Sequence, residues 1–162
     1  MSAYTAPFPG TLDSVGRARR WTVAMLRATP NTDVPAEVIE TAELLVSEVA
    51  TNAVRHTLSG APGGVYGISL HVGRGLLRAD VTNRAALPGT RIAARPATFH
   101  REGGRGLILV DALAHAWGVL PTGNGVHFTL RWDAPPGPMP PLAPMVEPAP
   151  DSLAARWLRL LS

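Results

Sequence analysis

Glu48, Asn52 and His56 stand four residues apart in SEVATNAVRH, within a run whose other positions are mostly apolar or small. If that run is helical, Asn52 lies about 40° and His56 about 80° around the wheel from Glu48. The trio then sits beside the apolar stripe Ile39, Ala42, Val46, Val49 and Ala53, so it is expected to face inward, toward a sheet. A carboxylate in that position is costly unless it is satisfied internally or borders a cavity. Beside a cavity, a carboxylate and an amide oxygen one turn apart are the donors a hard cation such as Mg2+ accepts. Farther along, Gly103, Gly104 and Gly106 open a second candidate helix in GGRGLILVDALAHAWG. A helix N-terminus opened by glycines turns N–H groups and a partial positive charge toward anions. Metal, phosphate and pocket chemistry therefore converge on two helices, while His56 reads as a packing or capping residue.

The elements that must position these groups follow from periodicity and breakers. Residues 1–10 read as a flexible lead-in. Val15, Ala18, Trp21 and Met25 predict a helix over 14–28, which the cluster TPNTDVP ends. Pro35 suits a first helical turn, and the unbroken stripe after it predicts a helix over 36–57. Alternation of Tyr66, Ile68, Leu70 and Val72 predicts a strand, Gly73-Arg74-Gly75 a hairpin turn, and LLRADVTN a second strand carrying Leu77, Ala79, Val81 and Asn83 on one face. The Arg-, Ala-, Pro- and Gly-rich stretch 84–103 has weak periodicity and reads as a lid, since connections that long are more often functional than accidental. The glycine-opened helix follows, with Leu107, Val110, Leu113 and Ala114 as its apolar residues, then strands at 117–120 and 126–132. This order implies an α+β two-layer sandwich over 11–132, with a mostly antiparallel mixed sheet and helices on one face. A Pro-rich linker, 133–150, and an amphipathic helix, 151–162, with Leu153, Trp157, Leu160 and Leu161 on one face, complete the chain. That last helix either folds back on its own domain or docks on a partner or membrane surface.

Composition removes several classes of chemistry. The chain has no cysteine, which excludes disulfides, thiolate nucleophiles and Cys-based zinc sites and suits a reducing cytosol. No apolar run approaches the roughly 20 residues of a membrane span, and MSAYTAPFPG lacks the basic start and apolar stretch of a signal peptide. His71, His100, His115 and His127 show no metal-ligand spacing. The GGRG run follows a lid where a dinucleotide fingerprint would follow a strand. All 15 basic residues are arginine and the net charge is +3. Arg84, Arg91, Arg95, Arg101 and Arg105 against Glu102 concentrate positive charge near the lid, which reads as a solvated basic loop or as a contact for a phosphate-bearing ligand. Arginines without interleaved aromatics give only non-specific attraction to nucleic acid.

Taken together, Glu48-x-x-x-Asn52-Ala53-x-x-His56, a strand ending at Asn83, the lid, and Gly104-Arg105-Gly106-Leu107 with Val110 and Leu113 resemble the GHKL-type ATPases. That superfamily includes histidine kinases, DNA gyrase and a heat-shock chaperone, and has the Bergerat fold. The phrases LLVSEVATNAVRHT and GRGLILVDALAHAWGV look most similar to the anti-sigma-factor serine/threonine kinases common in actinobacteria. The resemblance implies Glu48 as general base, Asn52 as the Mg2+ ligand, and Asn52, Asn83, Gly104, Arg105, Gly106 and Leu107 as the ATP-binding set under a mobile lid. It also implies a cytoplasmic protein whose partner is a sigma factor or its antagonist, and a possible homodimer. Such chemistry is coherent, because phosphoryl transfer depends mainly on positioning and charge neutralisation.

Two departures fall at one end of the implied pocket. Where the family pattern has an aspartate accepting from the adenine amino group, this chain has Asn83. A neutral acceptor in place of a charged one forfeits about 1 kcal/mol. Where the family usually has a threonine near Gly125, the turn reads TGNGVHF. The sequence thus leaves three classes open: a Mg-ATP-dependent kinase, a non-catalytic partner-binding module on the same scaffold, and a polyanion binder.

Overall fold

A computed structural model describes residues 1–85 and 105–133, with Arg105 described by its backbone alone. Most of the expected lid, Gly103, Gly104, the Arg105 side chain, the Pro-rich stretch and the expected terminal helix lie outside the described residues. The elements run β1 (Ser2–Pro9), α1 (Leu12–Ala28), α2 (Ala36–His56), a single 3-10 turn (Leu58–Gly60), β2 (Val65–Gly73), β3 (Leu76–Thr82), α3 (Arg105–Leu113), β4 (Ala116–Val119) and β5 (Gly125–Arg131). The strands form one five-stranded sheet in the order β1-β2-β3-β5-β4, and every adjacent pair is antiparallel. With the helices packed on it, this is the α+β sandwich expected of a Bergerat-like fold.

β1 corrects the expectation of a flexible lead-in at 1–10. Ser2 to Pro9 pairs with Val72 to Val65 along its full length. Pro7 and Pro9 weaken the strand signal in sequence, yet an edge strand has one side of its backbone unpaired and tolerates proline there. Phe8 anchors it, stacked on Tyr66 at 5.6 Å between ring centroids and edge-on to Trp21 at 5.7 Å. Tyr66 is almost fully buried, and burial pushes its phenol above the usual tyrosine range, moderated by the hydrogen bond to Ser14 and by Arg17.

One face of the sheet supplies the core: Tyr66, Ile68, Leu70 and Val72 of β2, Leu77, Ala79 and Val81 of β3, and Phe128 and Leu130 of β5 are all buried. α2 lies on this face through Val38, Ile39, Ala42, Leu45, Val46, Val49, Ala50 and Ala53. Its acidic first turn at Glu37 and basic last turn at Arg55 oppose the partial charges of the helix ends. Thr57 stops it in an extended conformation and returns its hydroxyl to the Ala53 carbonyl while accepting from the Ser59 N–H. α1 buries Ser14, Val15, Ala18, Thr22 and Leu26. The hydroxyl of Thr22 is satisfied within the helix by the Ala18 carbonyl at 2.9 Å, which makes that small polar seam acceptable inside. In α3, Leu107 and Val110 are buried as expected, but Leu113 is 42% exposed. The helix ends at that residue, where Ala114 N–H returns to the Val110 carbonyl.

On the other face, Arg78 Nε donates to Asp80 Oδ1 at 2.8 Å, and Asp80 stands opposite His127 in the β3–β5 register. Burial lowers the pKa of His127, Arg78 lowers it further and Asp80 partly offsets this. Its Nδ1 is buried with no hydrogen-bond partner among the described residues. His56 is lowered in the same direction, by burial and by Arg55. Below the ordinary value of 6.5, the unfolded imidazole takes up a proton that the folded one resists. The stability these neutral histidines carry is therefore full above that value and lost as pH falls through it. Thermal unfolding followed between about pH 7.5 and about pH 5.5 is expected to show a falling Tm, with a shallower fall in His127→Gln. Parallel profiles for the two proteins would remove His127 as a source.

Candidate functional site

The inward-facing polar pair on α2 meets α3. Glu48 and Asn52 are half-buried, and the residue that lies against them is Gly106, in the first turn of α3. A Cβ placed on Gly106 would come within 2.6 Å of Glu48 Oε2, 3.2 Å of Glu48 Cβ and 3.4 Å of Asn52 Nδ2. The absent side chain is what allows the N-terminal turn of α3 to approach a carboxylate and an amide so closely. The sheet face beneath α2 is filled by Val81, Ala79 and their neighbours, which leaves the flank toward α3 as the place where polar groups reach a cavity.

That cavity is lined by Val49, Asn52, Ala53 and Thr57 of α2 and its C-cap, Asn83 after β3, Leu107 of α3 and Val126 of β5. Its volume is about 20 Å³, room for roughly one water. Asn52 Nδ2 is buried there without a hydrogen-bond partner among the described residues. An orphaned buried amide costs about 1–3 kcal/mol unless a ligand completes it. A half-turn of the amide presents Oδ1 at the same place, the atom a cation would take. The four leading N–H groups of α3 have no acceptor within the helix, and its positive end adjoins Glu48 and Asn52. The donor set therefore fits a metal–phosphate group: a carboxylate, an amide with an unpartnered end, and a helix N-terminus brought close by glycine.

At the other end of the cavity, Asn83 is held by its own backbone N–H on the Asn124 carbonyl at 3.1 Å, and its Nδ2 donates to the Arg84 carbonyl at 2.6 Å. Arg84 N–H bonds Ser59 Oγ at 2.9 Å and Leu58 N–H bonds the Ala85 carbonyl at 2.8 Å. Residues 83–85 are thus strapped to the turn that ends α2. Gly125 does not line the cavity; its neighbour Val126 does, opposite Val81 in the β3–β5 pairing.

Residues 8–132 match the family model of the histidine kinase-like ATPase domain. The chain belongs to the histidine kinase-like ATPase family. No curated protein matches it. Among the residues expected at the site of this ATPase-family domain, Asn52, Leu107 and Asn83 line one cavity, and Gly106 lies against Glu48 and Asn52. Gly104 and the Arg105 side chain lie outside the described residues. His56, at the last position of α2, is not among the lining residues, in keeping with a packing role. Thr57 and Val126 were not legible as site residues. The Thr57 hydroxyl donates to the Ala53 carbonyl and accepts from the Ser59 N–H, which leaves it one acceptor lone pair. Val126 could be found only through the pairing register, which puts it beside Val81 and hence one strand from Asn83. Among the described residues, no group of three or more His, Cys, Asp or Glu gathers to hold a metal, and no helix is long and apolar enough to cross a membrane.

Proposed function

We propose that this chain is a cytoplasmic regulatory protein that binds Mg-ATP and controls a sigma factor or its antagonist, by binding the sigma factor and by phosphorylating a serine or threonine on the antagonist. The reading is carried by the close approach of the Gly106 turn of α3 to Glu48 and to Asn52, which lines the cavity, in a chain of this family. Bound ATP would supply the phosphoryl group and Mg2+ its charge neutralisation. Asn52 would hold the metal through its amide oxygen, and the N-terminal N–H groups of α3, with Gly104 and Arg105, would hold phosphate oxygens. Glu48 would accept the proton of the attacking hydroxyl. Leu107, Val126, Val49 and Ala53 provide apolar walls for a base, with Asn83 as its polar contact.

A second reading is favoured by the base end, where an amide and a valine face the cavity: a partner-binding module without turnover. Titration calorimetry with ATP in the presence and absence of Mg2+ separates the two. Binding that weakens at least about tenfold without the metal is expected for the ATP site. Absence of heat at millimolar nucleotide would remove the kinase reading. With a captured partner, Glu48→Gln is expected to keep nucleotide affinity and lose phosphate transfer.

A further inference from the structure

We infer that Ser59 is a positioning residue for nucleotide binding: its hydroxyl holds the chain after β3 so that the Asn83 amide stays set at the base end of the cavity. The inference rests on the nucleotide-binding reading and adds to it a residue that does not line the cavity. β3 ends at Thr82, and Arg84 and Ala85 beyond it are exposed. Among the described residues, three hydrogen bonds tie this stretch to other elements. Asn83 N–H donates to the Asn124 carbonyl at 3.1 Å and the Ala85 carbonyl accepts from Leu58 N–H at 2.8 Å. Between them, Arg84 N–H donates to Ser59 Oγ at 2.9 Å. The first two are main chain on both sides, so Ser59 supplies the one grip that a side chain makes.

That grip reaches the Asn83 side chain through Arg84. The Arg84 carbonyl accepts from Asn83 Nδ2 at 2.6 Å, and a half-turn of the amide would set Oδ1 against that carbonyl oxygen. An amide has a donor end and an acceptor end, so this contact fixes which end is which for as long as Arg84 keeps its place. Ser59 is itself a stiff support. It is fully buried, its N–H donates to Thr57 Oγ1 at 3.1 Å, and its carbonyl lies where a Cβ on Gly10 or on Gly64 would overlap it. Gly10 N–H bonds the Gly64 carbonyl at 2.8 Å, which closes the end of β1 onto the same turn. Thr57, at the start of the turn, lines the cavity and is bonded to Ala53. One packed turn therefore carries part of the α2 wall of the cavity and, through Ser59, the place of Asn83 beside it. Support of this kind keeps a binding group in its productive geometry before the ligand arrives.

The test is a double-mutant cycle on the dissociation constant for Mg-ATP, measured by titration calorimetry on the full chain, on Ser59→Ala, on Asn83→Ala and on the double variant. Ser59→Ala is expected to weaken ATP binding about fivefold, the worth of one neutral hydrogen bond, and Asn83→Ala at least as much. In the Asn83→Ala background, Ser59→Ala is expected to change the constant by less than about twofold, because the group it positions is gone. A hydroxyl that served only the packing of the turn would have the same effect in both backgrounds. Losses that multiply, or an unchanged constant in either single variant, overturn the inference while leaving the nucleotide site intact. Absence of ATP binding by the unmodified protein overturns the nucleotide site itself, and this inference with it. If Ser59→Ala does not fold, Arg84→Pro, which lacks the N–H that Ser59 accepts, takes its place in the cycle with the same outcomes.

Discussion

Threonine at Gly125 is expected to unfold the domain at markedly lower temperature and not to repair the base end of the cavity. Gly125 has φ +141, and a Cβ there would fall 2.3 Å from the Val81 carbonyl oxygen, 2.7 Å from Leu120 Cδ1 and 3.0 Å from Thr82 Cα. Two of those three atoms are backbone of β3, the strand that leads to Asn83, so they cannot rotate aside. A β-branched residue forced to positive φ costs about 1–3 kcal/mol, and overpacking against fixed backbone a further 1–3 kcal/mol. A loss of about 3 kcal/mol or more is expected, which in a domain of this size lowers Tm by roughly 10 °C. The same side chain one residue later is a different case. Val126→Thr keeps the shape, lines the cavity, and is expected to cost about 1 kcal/mol while adding a hydroxyl beside Asn83. Differential scanning calorimetry of the two variants distinguishes them; equal Tm losses would mean that the Gly125 turn yields more easily than its contacts imply.

Asn52→Leu is expected to raise stability while abolishing ligand binding. The unpartnered Nδ2 of Asn52 carries an unmet desolvation cost, and an apolar side chain of similar size removes it. Leucine is also the better helix former by about 0.5 kcal/mol, for a combined gain of about 1–2 kcal/mol. Mg-dependent ATP affinity is expected to fall by about two orders of magnitude, because the amide oxygen is the neutral metal ligand beside Glu48. A side chain that costs stability and serves binding is the usual trade at a functional site. A lower Tm in Asn52→Leu would show instead that the amide has a structural partner and would remove it from the ligand set.

The helices of the core were legible because their apolar stripes repeat at three and four residues, and β2 and β3 because both alternate on either side of a two-glycine turn. β1 was missed because alternation of Tyr4, Ala6 and Phe8 is interrupted by two prolines, and what fixes it is a distant strand and two distant aromatic rings. The site residues Glu48, Asn52 and Asn83 were legible because polar groups beside an apolar stripe demand an explanation. The direction they face was not, since it depends on where α3 lands, and α3 is joined to β3 by a connection without periodicity. The need for glycine at 125 was also hidden. It arises from the approach of β5 to the end of β3, forty residues away in the chain, and no local pattern encodes it.

The register of the sheet also brings both ends of the domain to one pole. Ser2 pairs with Val72, Met1 Cε lies 3.9 Å from the Cβ position of Gly73, and Trp132 N–H bonds the Gly75 carbonyl at 3.1 Å as the last strand finishes. Asn83 and Gly125 lie at the opposite pole. The described strands thus begin and end at one pole, with the Asn83 end of the cavity at the other. Such a unit can be spliced into a longer polypeptide, tethered at either end, or closed head to tail by a short loop.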